Sequence, residues 1–502
     1  MLDGGQWRHG DGVRVIGRLV VLGATGDLAG RFLLPALARL LAASGVPADL
    51  RVVGGGHQGW TEAEFQAHVD ARLRAHAGDL ADAAREDLVA RLGYGQVDVS
   101  DEDGVARLVD RVRGEDTPID PAVAVYLALP AVAFPPALRS LVAVGLPAGS
   151  RVAVEKPFGD DRAGAVALDR LLAAAAGDGE ASRFRVDHIL AMPQVEELVR
   201  LRAPGGPLAP IWDAEHVARI EVVWEETLGL ETRGAFYDGT GAVRDVMQNH
   251  LLQVLVLALM EPPQGDGDEA LHAAKLALLR AVREPDAPQM ADRTRRARYG
   301  AGVLVDAAEP QGRPVPGYAA VSGVDPARGT ETWAEVTLEV ATPRWTGVPV
   351  VLRTGKGMGA PRKGVLVHLR HDVDVPLPAE VRTPTPRTLW VELDSPGGAV
   401  HAPGELVAYA AVLTDVLGGG SRTSVTGAEA VEAWRVFEPV LRAWADGVVP
   451  LEEYAAGSTG PSADYGRRPG AEGGRVGEQP DVRTTRARPT DGRAVGGLPG
   501  HP

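Results

Sequence analysis

The fold class follows from one stretch of the sequence, Leu19-Val20-Val21-Leu22-Gly23-Ala24-Thr25-Gly26-Asp27-Leu28. Its first four residues are apolar and predict a buried strand, which runs into a turn that contains two glycines. A helical stretch at residues 32–41 follows this turn. Strand, glycine turn and helix are typical of the first unit of a doubly wound parallel sheet.

The glycine turn also predicts a binding site for a dinucleotide cofactor. Glycine lets the backbone approach a pyrophosphate group, which then sits at the amino terminus of the following helix, where free N–H groups point outward. The residues expected to contact this cofactor are Gly23, Ala24, Thr25, Gly26, Asp27 and Leu28.

The choice between NADP and NAD is usually read at the end of the second strand. An Asp or Glu there binds a ribose 2′-hydroxyl, whereas an Arg binds a 2′-phosphate. This sequence has Gly54-Gly55-Gly56-His57-Gln58 at that place. His57 could donate a hydrogen bond to a phosphate, but a loop imidazole that only faces solvent is an equally good interpretation. These residues therefore leave the choice of cofactor open.

Two kinds of strand pattern divide the rest of the chain. Apolar strands at 50–53, 123–129 and 151–154 alternate with helical stretches, which indicates βαβ units. Segments 220–224, 333–340 and 365–369 instead alternate polar with apolar residues, which is typical of an antiparallel sheet with one covered face.

These patterns predict an α/β Rossmann-like dinucleotide-binding domain over residues 1–190. Residues 191–460 are expected to form an α+β domain with a large, mostly antiparallel sheet. Residues 461–502 are rich in Gly, Pro and Arg and predict a disordered tail.

Composition excludes several classes of protein. The chain has 502 residues and a formal net charge of −15, which argues against a general binder of nucleic acid or acidic membranes. The absence of Cys excludes disulfides, thiolate metal sites and a Cys nucleophile, and no metal site is predicted. The longest apolar stretch, Leu251 to Met260, is about half the length that a bilayer requires. We therefore expect a cytoplasmic protein.

Lysine is rare in this chain. Of the 52 basic residues only Lys156, Lys275, Lys356 and Lys363 are lysines, and the remainder are Arg. Because the chain otherwise uses Arg for positive charge, we do not expect a remaining Lys to be a neutral choice of residue.

A helix that contains His250 offers a candidate general base. At helical spacing His250 shares one stripe with apolar residues, namely Val243, Met247, Val254 and Leu257. A core His with one hydrogen bond explains this pattern, but a general base asks for the same surroundings plus a carboxylate that orients the ring. Asp187, just after a predicted strand that ends at Val186, could supply that carboxylate. The sequence alone does not decide between these two interpretations.

Several motifs in order along residues 15–460 resemble the glucose-6-phosphate dehydrogenase family. The motifs are Gly-Ala-Thr-Gly-Asp-Leu-Ala (23–29), Tyr-Leu-Ala-Leu-Pro (126–130), Glu-Lys-Pro-Phe-Gly (155–159), Arg-Val-Asp-His (185–188), Glu-Thr-Leu-Gly (226–229), the stretch 244–253, Met-Glu-Pro-Pro (260–263) and Arg-Thr-Gly-Lys (353–356).

The resemblance implies a dehydrogenase that oxidises C1 of an aldopyranose, with glucose 6-phosphate as the family substrate and NADP as the expected acceptor. It implies that His250 is the general base and that Asp187 orients it. It further implies a homodimer or homotetramer whose subunits pair through the second domain. The residues that the resemblance implies at the substrate are Lys156, which also reaches the cofactor, His188, Glu226, Asp245 and Lys356.

Four positions differ from the family pattern. Ile189 and Met192 stand where the family has a Tyr and a Lys that hold the sugar phosphate, Gly30 stands where a Lys is usual, and His57 replaces an Arg. Two alternatives therefore remain: a dehydrogenase of the same family that uses a non-phosphorylated or different sugar with NAD, or a non-catalytic paralogue that binds sugar or nucleotide.

Overall fold

The computed structural model describes residues 15–114, 121–177, 179–231, 233–305, 309–393 and 403–462. The predicted disordered tail, residues 461–502, lies outside the described residues apart from its first two positions. The elements below are numbered along the chain, strands and helices separately.

The first sheet is built from the strands that the sequence predicted, with one addition. Its six strands are β1 (Arg18–Leu22), β2 (Arg51–Gly56), β3 (Leu92–Gln96), β4 (Ala124–Leu127), β5 (Arg151–Glu155) and β6 (Arg183–Val186). The order is β3-β2-β1-β4-β5-β6, and every neighbouring pair is parallel. This order is that of a dinucleotide-binding doubly wound sheet, so the predicted fold class is confirmed.

Strand β3 has no clear sequence signal. Its residues are Leu-Gly-Tyr-Gly-Gln, and only Leu92 and Tyr94 are buried. The two glycines interrupt the apolar run, so the pattern does not read as a buried strand. Glycine is favoured here because an added Cβ at Gly95 would lie 2.5 Å from a side-chain carbon of Leu108.

Helices connect the parallel strands. They are α1 (Leu34–Ala42), α2 (Glu62–His76), α3 (Asp82–Ala90), α4 (Glu102–Arg113), α5 (Phe134–Val144) and α6 (Arg162–Ala176). A short π-helical segment, Ala29–Leu33, precedes α1 directly after the glycine turn. Parallel strands need such crossover connections, which place helices against the sheet.

The second sheet is large and mixed. The later strands are β7 (Val217–Glu225), β8 (Thr294–Gly300), β9 (Gly302–Leu304), β10 (Arg313–Val315), β11 (Trp333–Glu339), β12 (Pro349–Gly355), β13 (Arg362–Leu369), β14 (Val381–Arg382), β15 (Thr388–Glu392) and β16 (Leu451–Ala455). Eight of them form a sheet in the order β14-β15-β13-β7-β12-β11-β8-β16, and β9 pairs with β10. Five neighbouring pairs are antiparallel, whereas β7 with β12 and β8 with β16 are parallel. The predicted mostly antiparallel sheet is therefore confirmed.

The remaining helices follow β6 along the chain. They are α7 (Pro193–Arg202), α8 (Gly234–Asp238), α9 (Leu252–Leu259), α10 (Asp268–Ala281), α11 (Met290–Arg293), α12 (Pro403–Gly418) and α13 (Gly427–Ala445). A π-helical segment, Val243–Leu251, leads directly into α9. Within the described part of the chain, no helix combines the length and apolar character that crossing a membrane requires.

Helix α12 returns to the first sheet. Tyr409, Val412 and Leu413 share a buried cluster with residues of β1, β4 and β6. The guanidinium of Arg151 at the start of β5 donates to the backbone oxygens of Val416 and Leu417, at 3.0 and 2.6 Å. Both sheets consequently lie in one compact unit that ends at Pro461. The boundary at residue 190 remains a prediction.

A buried ion pair joins α10 to α13. The ammonium of Lys275 lies 2.9 Å from Oε2 of Glu429, and neither side chain is exposed. His272 Nδ1 lies 2.9 Å from Oε1 of the same carboxylate, which also completes the cap of α13 with Thr426. Burial raises the pKa of Glu429, but Lys275 and His272 outweigh this effect and hold the pKa below its ordinary value. The carboxylate is therefore charged, and Lys275 is its compensating charge.

Replacement of Lys275 by Met should lower the free energy of unfolding by about 3–5 kcal/mol, because it leaves a buried carboxylate without its main partner. The matched control is Arg442→Met on α13, which removes an ion pair to Glu438 whose side chains are 68% and 33% exposed. Exposed pairs contribute about 0–1 kcal/mol. Urea denaturation measures both losses, and equal losses would contradict the structural role of Lys275.

Candidate active site

The centre of the site is a hydrogen bond between a carboxylate and an imidazole. Asp187 follows the last residue of β6, and its side chain caps a single 3₁₀ turn, His188–Ala191, by accepting from the Ile189 N–H at 3.2 Å. His250 lies in the π-helical segment Val243–Leu251. Its Nδ1 is 2.5 Å from Oδ1 of Asp187, and both residues are buried. The structure thus pairs Asp187 with His250, a contact that the sequence alone did not establish.

The backbone around His250 is held by Asn249. The side-chain oxygen of Asn249 accepts from the His250 N–H at 2.7 Å, and its amide nitrogen donates to the Arg244 carbonyl at 2.8 Å. A π-helical segment within a longer helix is a frequent feature of functional sites. With Nδ1 directed at the carboxylate, the neutral imidazole carries its lone pair on Nε2, where it can accept a proton.

Burial and charge set the protonation state of this pair. Burial lowers the pKa of His250; Asp187 opposes the effect, but the pKa stays below its ordinary value. Burial alone would raise the pKa of Asp187, yet the interaction with His250 outweighs it and holds this pKa low. At neutral pH the pair is therefore a carboxylate beside a neutral imidazole, which is the form that a general base needs.

His188 packs against this pair. Its ring centre is 4.8 Å from that of His250 and 5.2 Å from that of Tyr409, whose hydroxyl is 3.5 Å from His188 Nδ1. Burial, followed by the charge of His250, lowers the pKa of His188 to about 3. His188 can thus offer a hydrogen bond to a substrate but not a positive charge.

The ligand atoms of Asp187, His188 and His250 lie within 4.8 Å of one another, an arrangement that could hold a metal ion. The sequence predicts no metal site. Because the hydrogen bond between Asp187 and His250 already accounts for the approach of the two side chains, we interpret these residues as a proton-transfer pair with a neighbouring imidazole.

The structure brings the four other predicted substrate residues together. The Lys356 ammonium contacts the carboxylate of Glu226 and lies 3.1 Å from Oδ2 of Asp245. The Lys156 ammonium donates to the backbone oxygen of Asp245 at 2.5 Å and is 3.9 Å from its Oδ1. Parallel strands explain the first contact, since Gly355 pairs with Glu225 at the ends of β12 and β7, and the chain then continues into Lys356 and Glu226.

Asp245 and Lys356 are charged although they are partly buried. Burial raises the pKa of Asp245, but Lys356 and Lys156 outweigh it and hold the pKa well below its ordinary value. Burial lowers the pKa of Lys356, but Asp245 and Glu226 reverse the effect and raise this pKa above its ordinary value. The network therefore presents fixed charges with several acceptors and donors, as recognition of a polyhydroxylated ligand requires.

The glycine turn fits a dinucleotide. Gly23 has a φ of +85°, and a Cβ added to it would lie 2.2 Å from the backbone oxygen of Ala128, so only glycine is compatible with this position. Gly26 is exposed, Ala24 is buried, Leu28 is half-buried, and the Thr25 hydroxyl donates to the Gln58 side chain at 2.6 Å. The turn therefore leaves the backbone accessible where a pyrophosphate would approach.

Asp27 and Gly30 have structural partners. Asp27 lies 3.0 Å from Arg31 and 2.8 Å from Arg72, so its carboxylate ties the start of the first helical region to α2. A Cβ added to Gly30 would lie 2.6 Å from Nε of Arg72. The guanidinium of Arg72 thus occupies the space beside Gly30, which explains why no side chain stands there.

His57 lies apart from the pair of Asp187 and His250. It follows the last residue of β2, is exposed, and its backbone oxygen accepts from Gln96 at 3.0 Å. In the first sheet β2 is separated from β5 by β1 and β4, yet the carboxyl ends of all these parallel strands meet at one edge. His57 is therefore on the edge that carries the glycine turn, Lys156 and Asp187.

Three buried residues of the site were not predicted from the sequence. Tyr126 on β4 donates to the carboxylate of Glu155 at 2.5 Å, and Tyr409 reaches the same region from α12. Glu155 immediately precedes Lys156 at the end of a parallel strand, and this position in the sequence could have indicated that Glu155 belongs to the site. Burial raises the pKa of Glu155 to about 7, against the lowering effects of Tyr126 and Lys156.

Ile189 and Met192 contribute apolar surface only. Ile189 is fully buried and Met192 is 2% exposed, and both belong to the main hydrophobic cluster. Neither side chain can hydrogen-bond or attract a phosphate. The basic side chain that the family resemblance leads one to expect at position 192 is therefore missing from the site.

Models of the two glucose-6-phosphate dehydrogenase domains match the chain. The NAD binding domain matches residues 20–197, and the C-terminal domain matches residues 200–395 and 399–467. The chain is 32% identical to glucose-6-phosphate 1-dehydrogenase 2 of Mycobacterium tuberculosis over 90% of this chain and 93% of the relative. It is 32% identical to glucose-6-phosphate 1-dehydrogenase of Gluconobacter oxydans over 88% and 94%.

Solved structures agree with these matches. A glucose-6-phosphate dehydrogenase in complex with its substrate glucose 6-phosphate aligns with a TM-score of 0.74 at 25% identity, covering 90% of this chain and 96% of that one. The glucose-6-phosphate 1-dehydrogenase of Mycobacterium avium aligns with a TM-score of 0.72 at 31% identity, covering 89% and 95%.

The raised pKa of Glu155 predicts a pH-dependent loss of stability. Its ordinary value is 4.5, so between pH 4.5 and about 7 the folded protein holds a proton that the unfolded chain releases. This group should therefore lower the free energy of unfolding as pH rises through that range, by up to about 1.4 kcal/mol for each pH unit. Replacement of Glu155 by Gln should remove this contribution.

The measurement is urea denaturation of both proteins at intervals from pH 4.5 to 8. The free energy of unfolding of Glu155→Gln, relative to the wild type, should increase with pH and level off above about 7. A difference that does not change with pH would contradict the shifted pKa.

Proposed function

We propose that this chain, which belongs to the glucose-6-phosphate dehydrogenase family, oxidises C1 of glucose 6-phosphate to the lactone and transfers the hydride to NADP. The observation that carries the proposal is the buried hydrogen bond between Asp187 and His250 at the sheet edge that also bears the glycine turn. A general base, a charged network for sugar hydroxyls and a cradle for a dinucleotide thus converge at one edge.

The reaction removes a proton from the C1 hydroxyl and a hydride from C1 itself. His250 Nε2 takes the proton of the C1 hydroxyl, the C–H electron pair leaves with the hydrogen, and the C1–O bond becomes the lactone carbonyl. When bound, the nicotinamide cofactor supplies the acceptor for that hydride. Asp187 stabilises the imidazolium that forms, since an isolated cation in this buried place would be costly.

The neighbouring network positions the sugar. Glu226 and Asp245 accept hydrogen bonds from sugar hydroxyls, and Lys356 keeps both carboxylates ionised by its proximity. Lys156 leaves the end of β5 beside Asp245 and reaches both the sugar and the cofactor. Because charged partners hold these side chains before the sugar arrives, the sugar meets a preorganised surface.

NADP is the proposed acceptor, with NAD as the less favoured alternative. No carboxylate follows β2, where Gly54, Gly55 and Gly56 lead to His57. A carboxylate at this place would repel a 2′-phosphate, and the exposed His57 can instead donate to it. In keeping with the family, we also propose a homodimer or homotetramer that pairs through the second sheet, which light scattering on the purified protein would measure.

Replacement of His250 by Asn should lower kcat by about a hundredfold to ten-thousandfold, because an amide cannot accept the proton of the C1 hydroxyl. The control is His371→Asn, which removes an exposed imidazole elsewhere on the chain. Steady-state kinetics with glucose 6-phosphate would measure both variants, and thermal shift would establish that His250→Asn still binds the sugar. Undiminished turnover in His250→Asn would refute the assignment of the base.

The substrate is tested by comparing specificity constants for glucose 6-phosphate and glucose, each with NADP and with NAD. The proposal expects glucose 6-phosphate with NADP to have the highest value. A preference for glucose would favour a dehydrogenase of the same family with a non-phosphorylated substrate, a possibility that Ile189 and Met192 raise. Stabilisation by sugar without any turnover would instead favour a binding protein.

A further inference from the structure

We propose that Lys363 binds the phosphate of the substrate and replaces the basic side chain that position 192 lacks. This inference rests on the proposed function, because it assigns the residue that makes a phosphorylated sugar the preferred substrate. Position 192 is filled by a buried Met and position 189 by a buried Ile, so a phosphate at this site needs a cation from another element.

Strand β13 delivers Lys363 to the site. In the antiparallel pairing of β13 with β7, Lys363 lies directly opposite Trp224, two residues before Glu226. The Lys363 ammonium is 4.6 Å from the centre of the Trp224 ring, and that ring is 6.3 Å from the ring of His250. Lys363 and the proposed base therefore lie against the same indole ring.

The positions of Lys363 and His250 suit the chemistry of the substrate. C1 of the sugar must face His250, whereas the phosphate is attached to C6, beyond the ring oxygen and C5. A cation that binds the phosphate must consequently stand away from the base but on the same side of the site. Lys363 comes from β13, whereas His250 comes from a separate helical segment, and both lie against the Trp224 ring. Glu226 directly follows β7, the strand that carries Trp224.

The positive charge of Lys363 affects the pKa values of two groups in the site. Burial has the largest effect on the pKa values of His188 and Glu226, and the Lys363 ammonium is among the charges that lower both. His188 is neutral, and Lys156 and Lys356 face the carboxylates of Asp245 and Glu226. Lys363 is thus a further cation that acts on the same groups, and a phosphate dianion binds most strongly to such charged donors.

The residue type supports the assignment. Lysine is retained at only four positions in a chain that otherwise uses Arg. Lys156 and Lys356 contact the substrate network, and Lys275 compensates a buried carboxylate. A compact ammonium at position 363 can stand over an indole and still turn to a phosphate oxygen, whereas the planar guanidinium would stack on the ring.

The test is the variant Lys363→Met, which keeps most of the length of the side chain and removes its charge. KM for glucose 6-phosphate should rise about tenfold to a hundredfold, the effect of losing one charge-assisted contact. Turnover at saturation and the specificity constant for glucose should stay within about threefold of the wild type. Lys363→Arg should restore at least part of the affinity for glucose 6-phosphate.

The matched control is Arg370→Met, which removes an exposed positive charge just beyond the other end of β13. It should leave KM for glucose 6-phosphate unchanged. Inhibition by inorganic phosphate provides a second readout, since phosphate should compete with glucose 6-phosphate less well in Lys363→Met than in the wild type.

The outcomes separate this inference from the proposed function. If the wild type oxidises glucose 6-phosphate and Lys363→Met has the same KM, the inference fails and the function stands. If the specificity constants for glucose and glucose 6-phosphate fall equally, Lys363 only supports Trp224 and the inference fails. If the wild type oxidises neither sugar with either cofactor, the proposed function itself fails.

Discussion

The hydrogen bond between Asp187 and His250 depends on the packing of both halves of the chain. Asp187 directly follows the last strand of the parallel sheet, and His250 comes from a helical segment that packs against the second sheet. Neither group would be stable alone in this buried place, because an unpaired charge or an unsatisfied imidazole is costly. The two sheets must therefore meet at this point, and their meeting places the proposed base beside the candidate site for a dinucleotide.

The same requirement of compensated charge recurs around the pair. Lys356 contacts Glu226 and Asp245, and Lys275 contacts Glu429 between α10 and α13. In each case the partners come from elements that are distant in sequence, so that one electrostatic contact also joins two parts of the fold. Removal of one partner lowers the free energy of unfolding by more than the contact itself contributes, because the other partner is left as an uncompensated buried charge. The requirement that a charge removed from water has a partner of opposite charge consequently governs both the candidate site and the stability of the fold.

Regular patterns made much of the fold predictable. The apolar runs of β1, β2, β4 and β5 and the glycine turn were sufficient for the parallel sheet, because burial on both faces demands continuous apolar residues. Strand β3 could not be predicted in this way, because its two glycines interrupt the run. For the second sheet the sequence predicted that most strand pairs are antiparallel, but it did not predict which pairs are parallel. Alternation of polar and apolar residues indicates a strand with one covered face, and it does not indicate the direction of the neighbouring strand.

The sequence by itself determined the fold class, the family and the residue types that the chemistry needs, because these depend on local periodicity and on ordered motifs. Tertiary structure decided which residues meet. Helix α12 carries Tyr409 back to the first sheet, and the antiparallel pairing of β13 with β7 brings Lys363 to Trp224. Neither contact has a local signal, since it joins segments more than a hundred residues apart through packing and strand register. For the same reason only the folded chain could pair Asp187 with His250 and make a proton acceptor of an ordinary imidazole.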